Sequence, residues 1–93
     1  MIRSFADKIT ESIWNREFVK SVAAPVAKTA YRKLFLLHTV TRLQDLNIPP
    51  ANRLEALKGA RRGQHSIRIN DQYRICFRWE DGYADDVEVT DYH

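Results

Sequence analysis

The chain ends in Asp91-Tyr92-His93, where a carboxylate precedes two side chains that can exchange protons. Two cations stand upstream, Lys58 beside a glycine and Arg74 in an alternating pattern. Metal-free RNA cleavage needs a base for the 2′-hydroxyl, an acid for the departing 5′-oxygen and positive charge at the phosphate. Histidine or tyrosine can move protons, arginine can hold two phosphate oxygens and lysine supplies a point charge. The combination predicts a small ribonuclease that needs neither metal nor cofactor.

The charge of the chain is unevenly distributed. Residues 1–52 carry a net charge of +4, residues 53–78 carry +5 and residues 79–93 carry −6, within an overall charge of +3. Concentrated positive charge attracts phosphates and speeds encounter with nucleic acid. Alternatively, neighbouring strands of opposite charge pair across a sheet. Composition leaves both interpretations open.

Length and composition predict one domain over residues 1–93, because 93 residues with 44% hydrophobic content suffice for one core. Cys76 is the lone cysteine, so neither an intramolecular disulfide nor a cysteine-based metal site can form. No segment reads as a signal peptide or membrane span. We therefore expect a cytoplasmic protein without a membrane partner.

The first half predicts two helices. Residues 1–5 read as a short strand, and helical apolar spacing follows from Asp7 to about Ser21, with a possible break near Asn15. A second helix is predicted from Pro25 to Leu46, ended by Pro49-Pro50. Arg53 to Gln64 reads as an ordered loop. Within the helices, we interpret Trp14 and His38 as packing residues rather than as functional ones. The sequence up to Gln64 therefore predicts helices followed by a basic loop.

The last third predicts an antiparallel meander. Residues 65–69, 73–79 and 84–90 alternate as strands, with turns at Asn70-Asp71 and Asp81-Gly82. The face predicted to pack on the helices carries Ile67, Ile69, Tyr73, Ile75, Phe77, Trp79, Val87 and Val89. The face predicted to be polar and accessible carries Arg68, Arg74, Cys76, Arg78, Asp86 and Glu88. Arg74 and Tyr92 share this parity, whereas His93 needs a twist of the chain to join them.

Four segments carry a resemblance to a known family: Leu54 to Gly59, Gly63 to Arg68, Asn70 to Phe77, and Asp91 to His93. Together they resemble the HigB-like toxins, the plasmid maintenance killer branch of the RelE superfamily in bacterial toxin–antitoxin systems. The resemblance implies an α+β fold, with two N-terminal helices packed on a curved, mainly antiparallel sheet of three to four strands. It also implies a ribosome-dependent endoribonuclease that cuts messenger RNA at the ribosomal A site.

The resemblance further implies partners: a helix-turn-helix HigA-like antitoxin, the 30S subunit with its messenger RNA, and operator DNA only through the antitoxin complex. Residue by residue, it implies that Lys58 and Arg74 contact phosphate and stabilise charge. Asp91, Tyr92 and His93 match the terminal catalytic cluster, in which Asp91 would orient its neighbours. Which of Tyr92 and His93 is acid or base stays open.

One position departs from the family pattern, because several relatives have a histidine where Glu55 stands. Glu55 either acts as an auxiliary base or forms an ion pair with Arg53 or Arg62, and we favour the ion pair. We assign RNA backbone binding to five arginines: Arg53, Arg61, Arg62, Arg68 and Arg78. The opposing interpretation is a catalytically weak or inactive module that binds RNA or antitoxin in a regulatory role.

Overall fold

The computed structural model describes residues 1–91, so Tyr92 and His93 lie outside the described residues. Two helices precede a four-stranded antiparallel sheet whose strands lie side by side in chain order. The elements are α1 (Lys8–Trp14), α2 (Ala24–Thr39), β1 (Glu55–Ala56), β2 (His65–Arg68), β3 (Tyr73–Glu80) and β4 (Tyr83–Asp91). Short 3₁₀ turns at Leu43–Asn47, Pro50–Asn52 and Gly59–Arg61 connect them. The predicted α+β architecture of helices on a mainly antiparallel sheet is confirmed.

Helix α1 is shorter than predicted. The Asp7 carboxylate caps it by accepting the Thr10 N–H at 2.8 Å. The helix ends at the Asn15 cap, and Arg16 then takes a left-handed φ of 61°. The break near Asn15 is confirmed, but the predicted continuation to Ser21 is wrong, since a left-handed residue cannot propagate a right-handed helix.

Helix α2 also ends early, at Thr39 instead of Leu46. Thr39, Val40 and Thr41 are consecutive β-branched residues, whose side chains are restricted in a helix. Val40 adopts an extended backbone with ψ of 146°, and the chain resumes only as the 3₁₀ turn Leu43–Asn47. The apolar spacing that predicted a helix to Leu46 carries no information about this loss of helix propensity.

The sheet follows the predicted hairpins closely. Asp81 and Gly82 have φ values of 50° and 85°, as the two-residue turn between β3 and β4 requires. In β4, Asp86 has a φ of 52° at an irregularity in the β3–β4 pairing between Cys76 and Arg78. Such a bulge bends a strand and increases its twist.

Two segments at the edges of the sheet differ from the prediction. The predicted strand over residues 1–5 is reduced to two isolated parallel bridges, Ile2 to Ala84 and Phe5 to Val87. Glu55–Ala56, predicted as loop, pairs with β2 as an edge strand. A two-residue strand is too short to produce a period-2 signal.

The core lies between the helices and one face of the sheet. Its buried members include Ile13, Ala30, Leu34, Leu37, Ile67, Ile69, Ile75, Phe77 and Val87. Tyr73, Trp79 and Val89 pack against this cluster, so the predicted apolar face is confirmed. None of the helices within residues 1–91 is both long and apolar enough to cross a membrane.

Trp14 and His38 belong to this packing. Trp14 stacks on Tyr31 with ring centroids 5.7 Å apart and lies 5.1 Å from the His38 ring. His38 Nδ1 accepts the N–H of Ile2 at 3.1 Å, which attaches the amino-terminal segment to α2. These contacts agree with the packing roles expected of both side chains.

Candidate active site

Arg74 is held on the sheet face that points away from the helices. Its Nε donates to the Ser66 hydroxyl at 2.8 Å, and its Nη2 donates to the Arg53 carbonyl at 2.6 Å. The Arg74 side chain is only 11% exposed, and Ser66 is fully buried. Two acceptors on different elements therefore fix the plane of the guanidinium. A preoriented guanidinium can stabilise developing negative charge without reorganising during a reaction.

The Arg53 carbonyl is aimed by an unusual backbone. Arg53 has a left-handed φ of 48°, which is uncommon outside glycine. The buried Asn52 side chain fixes the preceding turn by donating to the Leu46 carbonyl at 3.0 Å and the Ile48 carbonyl at 3.3 Å. Lys33 of α2 donates to Asn52 Oδ1, and burial lowers the pKa of this lysine. The helix layer thus anchors the turn that orients Arg74.

Glu55 lies beside the same guanidinium. Its carboxylate is 4.0 Å from Arg74 Nη2 and is 55% exposed. The structure therefore pairs Glu55 with Arg74, whereas the expected partners were Arg53 or Arg62. The pair is long and solvated, which makes it weak. Any phosphate bound by Arg74 has to share that cation with the carboxylate or displace it.

Lys58 lies on the loop that joins β1 to β2. The Leu57 N–H donates to the Gln64 carbonyl at 2.9 Å and closes the base of this loop. Gly59 and Gly63 take φ values of 64° and 92°, so glycine permits both bends. Lys58 is exposed, and no hydrogen bond or ion pair joins its ammonium to any residue in the described range 1–91. The loop presents this charge to solvent.

The end of β4 lies next to Arg74 through the strand register. Thr90 is the Cα partner of Arg74, and Asp91 is the partner of Tyr73. The exposed Asp91 carboxylate accepts from Gln72 Nε2 at 3.0 Å. Predicted catalytic residues Tyr92 and His93 follow directly in sequence but lie outside the described residues. The register thus places Thr90 opposite Arg74, whereas Asp91 shares the side-chain parity of Tyr73.

Three of the five arginines assigned to RNA binding are paired with acidic side chains. Arg61 lies 3.2 Å from Glu88, Arg68 lies 2.5 Å from Asp71 and Arg78 lies 3.4 Å from Asp86. Arg53 and Arg62 are exposed and form no ion pair within residues 1–91. Acidic residues of β4 thus neutralise part of the basic face, as cross-strand pairing predicts, while Lys58 and Arg62 of the β1–β2 loop stay exposed.

The prediction that the polar face of the sheet is accessible is wrong at Cys76. Its thiol is fully buried, although its parity matches that of Arg74. Ser66 and Cys76 are partners across β2 and β3, and Cys76 is the partner of Glu88 in β4. Arg61 reaches from the β1–β2 loop to Glu88, and Arg74 reaches to Ser66, so long side chains cover the middle of this face.

Two contributors to the site escaped the sequence analysis, the Ser66 hydroxyl and the Arg53 carbonyl. The parity of Ser66 matches that of Arg74, and the hairpin register places them diagonally, which is a usable signal for Ser66. The direction of the Arg53 carbonyl depends on a left-handed backbone, which the residue types at that position do not predict. Within residues 1–91, no cluster of three or more histidine, cysteine, aspartate or glutamate side chains could hold a metal ion.

Comparison with protein families identifies the relatives of this chain. A family model described as the RelE-like toxin of type II toxin-antitoxin system HigB matches residues 3–93. The chain is 38% identical over 85 residues to Toxin HigB-1 of Vibrio cholerae, with 90% of each chain covered. It is 30% identical over 93 residues to Endoribonuclease HigB of Proteus vulgaris, with both chains covered completely.

A solved structure with a similar fold is the YoeB-YefM complex from Staphylococcus aureus. The alignment has a TM-score of 0.63 and covers 100% of this chain and 98% of the other. Sequence identity is 15%, so this similarity shows the fold alone. The fold expected from the resemblance is therefore confirmed by geometry as well as by sequence.

Proposed function

Because the chain belongs to the HigB-like family of RelE-like toxins of type II toxin–antitoxin systems, we propose that it is an endoribonuclease that inhibits translation. It acts in the cytoplasm and cuts messenger RNA at the A site of the ribosomal 30S subunit. A relative that is 30% identical over the whole chain carries the name Endoribonuclease HigB, which supports the reaction class.

The observation that carries this proposal is the fixation of Arg74. A buried hydroxyl and a backbone carbonyl orient its guanidinium on the sheet face where β4 ends. Such an arginine can bind two nonbridging oxygens of one phosphodiester. Lys58 supplies a second positive charge from the β1–β2 loop, and it reaches the phosphate as a flexible point charge.

The proposed chemistry is metal-free acid–base transfer. The attacking 2′-oxygen loses its proton to a base, phosphorus gains negative charge, and the departing 5′-oxygen receives a proton. Arg74 and Lys58 balance the charge, while Tyr92 and His93 exchange the protons and Asp91 orients them. The products are a 2′,3′-cyclic phosphate and a free 5′-hydroxyl. Mass spectrometry of a short cleaved RNA tests the cyclic phosphate directly.

The proposed partners follow from the same family membership. A helix-turn-helix HigA-like antitoxin silences the toxin, and the pair contacts operator DNA through the antitoxin. The exposed cations Arg53 and Arg62, together with Lys58, bind RNA phosphates first. Arg61, Arg68 and Arg78 have acidic partners and contribute once RNA phosphates displace those carboxylates.

Two measurements test the catalytic assignment. Induction of the wild-type chain is expected to arrest growth, whereas Arg74→Ala and His93→Ala are expected to abolish the arrest. Arg42→Ala is the matched control, because Arg42 is an exposed arginine paired with Asp45 away from the site. Purified protein should cut free RNA poorly and produce codon-phased cuts when programmed ribosomes are added. Full growth arrest by both site variants would refute the assignment.

A second function is favoured by one observation, the Glu55 carboxylate beside Arg74. If this carboxylate outcompetes phosphate, the chain is a catalytically weak or inactive module that binds RNA or antitoxin for regulation. Glu55→His then separates the two functions. A large gain of cleavage in this variant, starting from negligible wild-type activity, would support the weak module over the active toxin.

A further inference from the structure

An open groove lies between the segment that follows α1 and the neighbouring side of α2. It encloses about 660 Å³, a volume typical of ligand pockets. Ile13, Ala27 and Tyr31 supply apolar surface to it, and Phe18 forms part of its lining. Ile13 and Tyr31 also pack in the core on the helix side of the sheet. The groove therefore lies on the layer opposite to the Arg74 face.

Phe18 is the most exposed large apolar residue within the described range. Its side chain is 89% exposed although it borders an apolar concavity. Single exposed apolar residues are common, but an aromatic ring beside an apolar groove is typical of an interaction site. The ring would lose contact with water if a partner filled the groove.

The groove is bordered by an excess of positive charge. Arg16, Lys28 and Arg32 line it together with one carboxylate, Glu17. The Arg16 guanidinium lies over the Tyr31 ring at 4.4 Å from its centroid, so that cation is held at the rim. A partner that fits this groove combines apolar side chains with acidic ones.

Charge discriminates between the possible occupants. A second copy of the chain would bring the same net positive lining against itself, which opposes self-association. RNA phosphates could meet the cations, but the apolar surface of Ile13 and Ala27 offers no hydrogen bonds to bases. An acidic amphipathic helix can pack its apolar side chains on the apolar lining of the groove and pair its carboxylates with the cations that border it, as in helix-in-groove recognition.

We propose that this groove receives an acidic amphipathic segment of the antitoxin. The inference rests on the antitoxin partner of the proposed function and names the surface and chemistry of that contact. One apolar side chain of the segment packs between Phe18 and Tyr31, while its carboxylates meet Arg16, Lys28 and Arg32. Because the groove lies on the helix layer, this contact leaves Arg74 uncovered.

The test compares groove variants with matched controls outside the groove. Phe18→Ser and Arg32→Glu alter the groove, whereas Phe35→Ser and Lys8→Glu alter an exposed aromatic residue on α2 and an exposed cation on α1. The probe is the antitoxin encoded by the neighbouring reading frame, and its affinity is measured by calorimetry. We expect Phe18→Ser to weaken binding ~30-fold, as for an aromatic hot spot. The controls should bind like wild type.

Cleavage on programmed ribosomes, measured for the same variants, separates this inference from the proposed function. Phe18→Ser is expected to cleave at the wild-type rate, so loss of cleavage without loss of binding would overturn the groove assignment. Unchanged antitoxin affinity in both groove variants would overturn it as well, as would the absence of an antitoxin frame beside the gene. If the fraction of wild-type dimer increases with protein concentration and Phe18→Ser abolishes that increase, the groove binds a second copy of the chain and the antitoxin assignment is wrong.

Discussion

Replacing Ser66 by alanine tests whether the orientation of Arg74 matters for function. The variant removes the hydroxyl that accepts from Arg74 Nε at 2.8 Å and leaves the contact of Nη2 with the Arg53 carbonyl at 2.6 Å. Loss of one donor at a transition-state charge typically reduces a rate by about 10² to 10³. Because Ser66→Ala removes one of two anchors and keeps the charge, we expect a reduction of about tenfold in the rate constant of cleavage, or ~1.4 kcal/mol.

The assay is single-turnover cleavage of messenger RNA on programmed ribosomes. Cys76→Ala is the matched control, since Cys76 is the equally buried partner of Ser66 across β2 and β3. Denaturant unfolding of both variants measures any general loss of stability. A double-mutant cycle with Arg74→Ala then isolates the coupling, because Ser66→Ala should have no further effect when Arg74 is absent.

Two results would refute this reasoning. Equal losses of activity in Ser66→Ala and Cys76→Ala would indicate a general packing defect. A tenfold loss that persists in the Arg74→Ala background would show that Ser66 acts independently of the guanidinium. Either outcome would show that Ser66 does not position Arg74. The role of Arg74 itself would still be tested by Arg74→Ala.

Four further outcomes follow from the structure. Glu55→Gln should strengthen RNA binding up to about fivefold, the limit for a weak exposed pair; filter binding at several salt concentrations checks this, and unchanged affinity would contradict it. Lys58→Ala should reduce the salt slope of RNA binding by about one, which the same titration measures. The Arg3 guanidinium lowers the pKa of Asp85, so this contact stabilises the fold at neutral pH. The stabilisation is lost as the pH falls through the pKa of the folded carboxyl. Arg3→Ala should therefore make the unfolding free energy depend less on pH in acid, which denaturation followed by circular dichroism at several pH values measures. Leu37→Ala should lower the unfolding free energy by about 2 to 5 kcal/mol, because Leu37 is fully buried, and a urea titration measures this.

Period-2 alternation and turn chemistry were sufficient to predict β2, β3 and β4, but not β1. Strands β2 and β3 alternate throughout, β4 alternates after the irregularity at Asp86, and Asp81-Gly82 specifies a turn in which both residues have positive φ. The helices were less predictable at their ends. Phe18 continued the apolar spacing of α1 but lies outside the helix, since the chain had already reversed at Arg16. Spacing reports which residues could share a face and does not report where a backbone stops.

The candidate site was predictable in its charges but not in its supports. Lys58 and Arg74 could be selected because a phosphate requires cations. The Arg53 carbonyl could not be selected, since its position results from a left-handed φ fixed by the buried Asn52. The placement of Glu55 also required the structure, because β1 is too short to show a strand pattern.

The distribution of ion pairs explains how one chain satisfies both interpretations of its charge. Acidic residues of β4 hold Arg61 and Arg78, so the middle of the sheet face carries little net charge and stays compact. Lys58 and Arg62 of the β1–β2 loop lie outside that pairing and stay solvated. Exposed charges dominate long-range attraction of a polyanion, whereas a fixed charge of low exposure acts at contact distance. If the chain binds RNA as proposed, we expect the loop to attract RNA first and the preoriented Arg74 to contact it second, so variants of the loop should change the association rate more than the rate of the chemical step.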